Sequence, residues 1–261
     1  MKKYFILFIL ICSIETSWSQ EPAEQNVIRV MTFNILHGAT TKNDFDLDKI
    51  ADVINKYSPD LVALQEVDFK TRRAKNYDLA TELGLRTKMA PLFGKAMDYD
   101  GGGYGEGILT VMPIISSRTI ALPHSPENEP RAALEVTVEL QSGDTICFIG
   151  THFEHQTNNP DRIAQAKKLN EVFLKNKFPT ILAGDLNATP ESEPIQVLKQ
   201  YWSDSSAKNP QPTFSSKNPV KKIDYILYYP EKGWKVLETK VICDSVASDH
   251  CALLSVLQLV K

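Results

Sequence analysis

Apolar residues fall along this chain in short runs of two kinds. The first run, VIRVMTF from Val27 to Phe33, is rich in β-branched residues and predicts a strand. In DLDKIADVINKY, Leu47, Ile50, Ile54 and Tyr57 share one helical face, and Pro59 stops the helix. LVALQEV follows as a buried strand, and NYDLATELGL reads as a second helix with Gly84 near its end. DYDGGGYGEG breaks the pattern and predicts a long glycine-rich loop. GILTVM, RTIAL, RAALEVTVEL and DTICFIGTHF are strand-like. In the third, Leu134, Val136, Val138 and Leu140 alternate with their neighbours. Asn159 is placed to cap a helix with Pro160 in its first turn, and Ile163, Ala166, Leu169 and Phe173 continue it at helical spacing. FPTILAG is a strand and EPIQVLKQY a short helix. KKIDYILYY, WKVLETKVI and CALLSVLQL close the chain as strands. Strands dominate both halves and helices are interspersed in each. One α/β domain of two packed sheets with helices outside accommodates this order.

The candidate chemistry lies where the apolar runs meet polar residues. MTFNILHG offers Asn34, LVALQEVD offers Glu66, and IGTHFEH offers His152. ILAGDLNATP offers Asp185 and Asn187, KKIDYIL offers Asp224, and SDHCALL offers Asp249 and His250. Any one of these alone is an ordinary turn residue or hydrogen-bonding partner. Aligned strands would bring them all to one edge of the sandwich. Carboxylates and amides without thiolates favour a hard cation, Mg²⁺, Mn²⁺ or Ca²⁺. Imidazoles can donate to phosphoryl oxygens or move protons. Together these groups describe hydrolysis of a phosphoester by in-line attack of water.

FNILHG, LQEVD, GTHFEH, GDLNATP, IDYIL and SDHCALL, in this order, resemble the endonuclease/exonuclease/phosphatase superfamily. That superfamily contains pancreatic-type deoxyribonucleases, abasic-site endonucleases, neutral sphingomyelinases and inositol polyphosphate 5-phosphatases. The match runs from about Val30 to Leu254. The resemblance implies a four-layer α/β sandwich with two mixed β-sheets face to face. It implies that Glu66 binds the divalent metal, with Asn34 beside it and Asp249 as a further metal or water ligand. Asp185 would orient or deprotonate the attacking water, and Asn187 would hold a phosphoryl oxygen. His250, paired with Asp224, would contact the scissile phosphate. His152 would stabilise the phosphate or act as acid for the leaving oxygen. Glu106 could partner His152, Arg131 could contact phosphate, and Arg72, Arg73 and Tyr104 could line the substrate cleft.

Composition adds the cellular context. MKKYFILFILIC carries two lysines and then an apolar run too short to span a bilayer as a mature helix, and Ser17 and Ser19 follow it. This pattern predicts a signal peptide over residues 1–19 and a secreted or periplasmic domain over 20–261. A lipidated Cys12 is the weaker alternative, because Ile11 stands where a small residue is expected. Cleavage leaves Cys147, Cys243 and Cys251. Cys147 and Cys251 sit in apolar runs and read as small core residues. The net charge is -3, and loss of Lys2, Lys3 and Glu15 takes away one more positive charge. Such a chain lacks the basic footprint of a nucleic-acid binder. Three functions compete: an exported phosphoesterase acting on a lipid head group, sugar phosphate or similar ester; a secreted nuclease; and a silent binding protein on the same fold. The first is favoured. Expected with it are a monomeric state and no stable membrane insertion after signal cleavage.

Overall fold

A computed structural model describes residues 26–156 and 160–260. The signal-peptide and Asn159 expectations lie outside the described residues. Twelve strands and four α-helices alternate along the described chain. The first sheet has the order β11-β12-β1-β2-β4-β3: Trp234–Ile242, Ala252–Leu259, Val27–Asn34, Leu61–Phe69, Gly102–Thr110 and Ala90–Tyr99. The second has the order β5-β6-β7-β8-β10-β9: Ile114–Leu122, Arg131–Glu139, Thr145–His152, Thr180–Asp185, Asp224–Tyr229 and Ser203–Asp204.

The strand period of two explains the layers. Along β1, Ile28 and Val30 enter the core between the sheets, while Met31 and Phe33 join the core under α1 (Leu47–Tyr57) and α2 (Leu79–Thr87). Along β7, Ile146 and Phe148 face the other sheet, while Cys147 and Ile149 pack under α3 (Asp161–Phe173) and α4 (Glu193–Lys199). Strands covered on both faces read as continuous apolar runs. The result is the four-layer α/β sandwich that the sequence resemblance implied. Asp46 caps α1 through its carboxylate, and Asp78 caps α2 in the same way. No helix among the described residues is long and apolar enough to cross a membrane.

One expectation is corrected here. DYDGGGYGEG is not a long loop. It is the tip and second strand of the β3–β4 hairpin, turning at Asp100 and Gly101, both at positive φ. Glycine is required inside this strand by close approach: a Cβ on Gly105 would lie 2.1 Å from the Gly94 carbonyl oxygen. Cys251 is buried, as expected. It is bonded to Cys243 across the end of the β11–β12 hairpin. Cys147 is free and buried, as expected.

Gly184 marks the most constrained point of the fold near the strand ends. A Cβ there would stand 2.0 Å from the Thr151 carbonyl oxygen on the neighbouring strand. Gly184→Ala is therefore expected to force β7 and β8 apart and cost about 2–3 kcal/mol. A fall in the thermal midpoint of several degrees checks this; an unchanged midpoint refutes it.

Candidate active site

Strand direction carries the polar residues to one edge. β1 runs parallel to β2, and β7 runs parallel to β8, with His152 in register with Asp185. β10 runs antiparallel to β8, so its first residue, Asp224, pairs with Asp185. β12 runs antiparallel to β1 and begins just after His250. The C-terminal ends of parallel strands are where open α/β sheets bind ligands.

Local backbone irregularity aims the side chains. A bulge breaks the β2–β4 register between Leu64 and Val67, and Glu66 lies within it at φ +59°. Gln65 therefore stays buried while Glu66 turns out to the cleft wall. Asn187 also adopts a left-handed conformation, at φ +46°. That conformation places its backbone N–H 2.9 Å from Asp185 Oδ1.

Asp185 is the hub. Its Oδ2 accepts from Asn34 Nδ2 at 3.2 Å and faces His152 Nε2 at 3.4 Å and His250 Nε2 at 3.5 Å. Burial opposes its charge, but the two imidazoles and the Asn187 N–H hold its carboxyl well below the usual range. His250 donates from Nδ1 to Asp224 Oδ2 at 3.1 Å. Burial disfavours the His250 cation, yet Asp224 and Asp185 outweigh it and raise its pKa to about 10. His250 is thus an imidazolium at neutral pH, with Phe214 against its ring at 4.8 Å.

His152 is differently placed. Arg131 Nη1 lies 3.1 Å from its Nδ1. Arginine can only donate, so Nδ1 is the acceptor of this contact, while Nε2 faces Asp185. His152 thus stands on the cleft wall between the Arg131 guanidinium and the Asp185 carboxylate. Asn187 Nδ2 approaches the same Nε2 at 3.0 Å and donates to the Phe153 carbonyl at 3.1 Å.

Glu106 is also corrected. It is 1% exposed, is not among the cleft-lining residues, and makes no hydrogen bond to His152. Burial pushes its pKa well above the usual carboxylate range, so its charge is disfavoured behind the wall. Asn34 is likewise buried. Its oxygen accepts from the Leu36 N–H at 3.1 Å, and its nitrogen donates to Glu66 at 3.1 Å. It braces two carboxylates, offering its amide nitrogen to Glu66 and Asp185. Arg72 pairs with Asp100 outside the cleft.

The cleft has a volume of about 580 Å³. Arg73, Tyr104, Arg131, His152, Asp185, Asn187, Asp249 and His250 all line it, along with Glu66. Several lining residues had no individual signal in the sequence. His37 lies 3.3 Å from Glu66 Oε2, and its position three residues after Asn34 in FNILHG was the available clue. Arg162 donates to the Asn187 carbonyl at 2.6 Å from the first turn of α3, where an arginine is otherwise a solvated surface residue.

Two acidic groupings could hold a cation. Asp185, Asp224 and His250 place ligand atoms within 4.8 Å of one another. Those atoms are buried and already satisfy each other. Glu66 and Asp249 stand on the cleft wall, and the charge of Glu66 raises the pKa of Asp249 after burial has done so first. Burial opposes the charge of Glu66, but His37, His152 and Asn34 hold its pKa down to about 2. An ionised carboxylate with a second beside it, open to water, fits a hard cation that keeps waters and takes a substrate oxygen.

Proteins of known structure share this arrangement of strands. An endonuclease/exonuclease/phosphatase from Beutenbergia cavernae DSM 12333 matches with a TM-score of 0.75 at 21% identity, over 90% of this chain and 72% of that one. The mannosyl-6-phosphatase of Bacteroides thetaiotaomicron VPI-5482 matches at 0.67 and 18% identity, over 90% of this chain and 100% of that one. Among curated proteins, an uncharacterized Caenorhabditis elegans protein is 46% identical over 63 residues. That stretch is 24% of this chain and 19% of the relative's length. The order of the motifs, the paired sheets and the polar edge agree with the family model that matches residues 31–250, and the chain belongs to the Endonuclease/Exonuclease/phosphatase family.

Proposed function

We propose that this chain is an exported, divalent-metal-dependent phosphoesterase that hydrolyses a small phosphorylated alcohol. One observation carries the reading: an ionised Asp185 held between Asn34, His152 and the His250 imidazolium, at the head of a cleft that also presents Glu66 and Asp249. Asp185 orients water against phosphorus and takes up its proton. Asn187 and His152 donate to the phosphoryl oxygens. His250, kept cationic by Asp224, balances the charge that builds there in the transition state. Glu66 and Asp249 would hold the metal, which would supply Lewis-acid polarisation of a phosphoryl oxygen. The leaving oxygen takes its proton from water in the open cleft. Export rests on the pattern of the first 19 residues. A fold neighbour that is a mannosyl-6-phosphatase is consistent with a small substrate.

Metal removal tests the reading. With residues 20–261 and an aryl phosphodiester, excess chelator is expected to lower turnover by at least about 100-fold, and Mg²⁺ or Mn²⁺ to restore it. Turnover that survives exhaustive chelation sinks the proposal. Metal-dependent cutting of supercoiled plasmid, with no hydrolysis of small phosphoesters, replaces it with the nuclease reading.

A further inference from the structure

The cleft is much larger than a phosphate group and lies in the size range of sites for drug-sized ligands. One part of its wall is built around Arg73. Arg73 donates from Nε to Asp68 Oδ2 at 2.6 Å and from Nη2 to Oδ1 at 2.8 Å. Asp68 is fully buried and receives a further hydrogen bond from Thr71 at 2.6 Å. The Arg73 backbone N–H is fixed by Asp100 at 2.8 Å. The guanidinium carbon lies 4.4 Å from the ring centre of Tyr99 and 5.5 Å from that of Tyr104. The side chain is therefore held at both ends of its length and lines the cleft, and its Nη1 makes no hydrogen bond among the described residues.

Two facts separate this wall from the rest of the cleft. The charge of Arg73 is matched by a buried carboxylate, so it acts as a fixed fork of donors with no net charge to attract an anion. By contrast, cleft-lining Arg162 is held by backbone carbonyls, and neither it nor Lys221 has an acidic partner within ion-pair distance among the described residues. A second anionic group on the substrate would go to those cations. A neutralised donor fork beside exposed tyrosine and the Met97 side chain suits a group with apolar C–H faces and several hydroxyl acceptors.

We infer that Arg73, clamped by Asp68 and flanked by Tyr99, is a specificity-determining residue that recognises a polyhydroxylated alcohol, the sugar or cyclitol part of a phosphoester. This inference rests on the phosphoesterase reading and assigns its substrate class. The hydroxyls accept from the free guanidinium edge while the carbon skeleton lies against the aromatic wall.

The test compares Arg73→Met and Arg73→Lys with the unaltered protein, all as residues 20–261 with Mg²⁺. The readout is the ratio of kcat/KM for hexose 6-phosphates and inositol phosphate to kcat/KM for p-nitrophenyl phosphate. The ratio is expected to fall at least tenfold in Arg73→Met, through KM. Arg73→Lys is expected to recover little of it, because lysine lacks the fork. An equal loss on both substrate types, or an unaltered protein with no preference for hexose and inositol phosphates over a simple alkyl phosphate, overturns the inference. Saturation-transfer NMR with methyl hexopyranosides and myo-inositol reads the same wall without turnover. Transfer is expected in the unaltered protein and lost in Arg73→Met, and no transfer in the unaltered protein overturns the assignment. Failure of the unaltered protein to hydrolyse any phosphoester, with transfer intact, counts against the phosphoesterase reading and not against the polyol wall.

Discussion

Replacing Asp185 by Asn is expected to lower kcat/KM for an aryl phosphodiester by roughly 1,000-fold, or about 4 kcal/mol of transition-state stabilisation. The size follows from what the carboxylate does. It adds to the charge of Asp224 in keeping His250 an imidazolium, and its Oδ2 faces both imidazoles within 3.5 Å. An amide of the same shape keeps the Asn187 contact but can neither accept the proton of water nor hold two rings around one oxygen. Loss of one such group usually costs two to four decades. Because these residues act as a unit, combining Asp185→Asn with His250→Gln is expected to cost little more than either alone. Steady-state kinetics on variants with unaltered circular dichroism decide the matter. Activity within tenfold of the parent would remove Asp185 from the chemistry.

The second large effect concerns stability. Phe148→Ala is expected to cost about 3–5 kcal/mol. Phe148 is fully buried in the middle of β7, between β6 and β8, and points into the core shared by the two sheets. Its neighbours there come from both sheets, including Leu61, Ala63, Val136 and Ile181. Strand backbones paired on both sides cannot collapse into the space a phenyl ring leaves. Whole domains are stable by only about 5–15 kcal/mol, so this one change removes a large fraction of the total. A fall in the denaturation midpoint at unchanged slope measures it. A loss under about 1 kcal/mol would mean that the two sheets are not packed through this residue.

Much of the architecture was legible without coordinates. RAALEVTVEL alternates because β6 has a face in each of two cores, and it forms a strand at Arg131–Glu139. Leu47, Ile50 and Ile54 do lie on the buried face of α1. β3 was not legible. APLFGKAMDY has no alternation and few β-branched residues, and most of it is exposed or half-buried. It is a strand because β4 pairs with it along its length, a tertiary cause that overrides propensity. The same pairing turned the glycine-rich loop into a hairpin. Cys251 read as core because its neighbours are apolar. Only the hairpin register brings Cys243 opposite it.

The site divides along the same line. The sequence by itself determined which chemical groups end the strands, because apolar runs must stop at the sheet edge and the first polar residue then stands there. It named Glu66, Asp185, Asn187, Asp249 and His250, and each lines the cleft. Only the tertiary structure decided which of these groups touch. Asn34 and Asp185 are 151 residues apart and belong to different sheets, yet they share a hydrogen bond. Arg131 and not Glu106 meets His152, because β6 pairs directly with β7 while β4 lies in the opposite sheet. Such pairings are set by how two six-stranded sheets are stacked and registered, and no local pattern of residues encodes that distance.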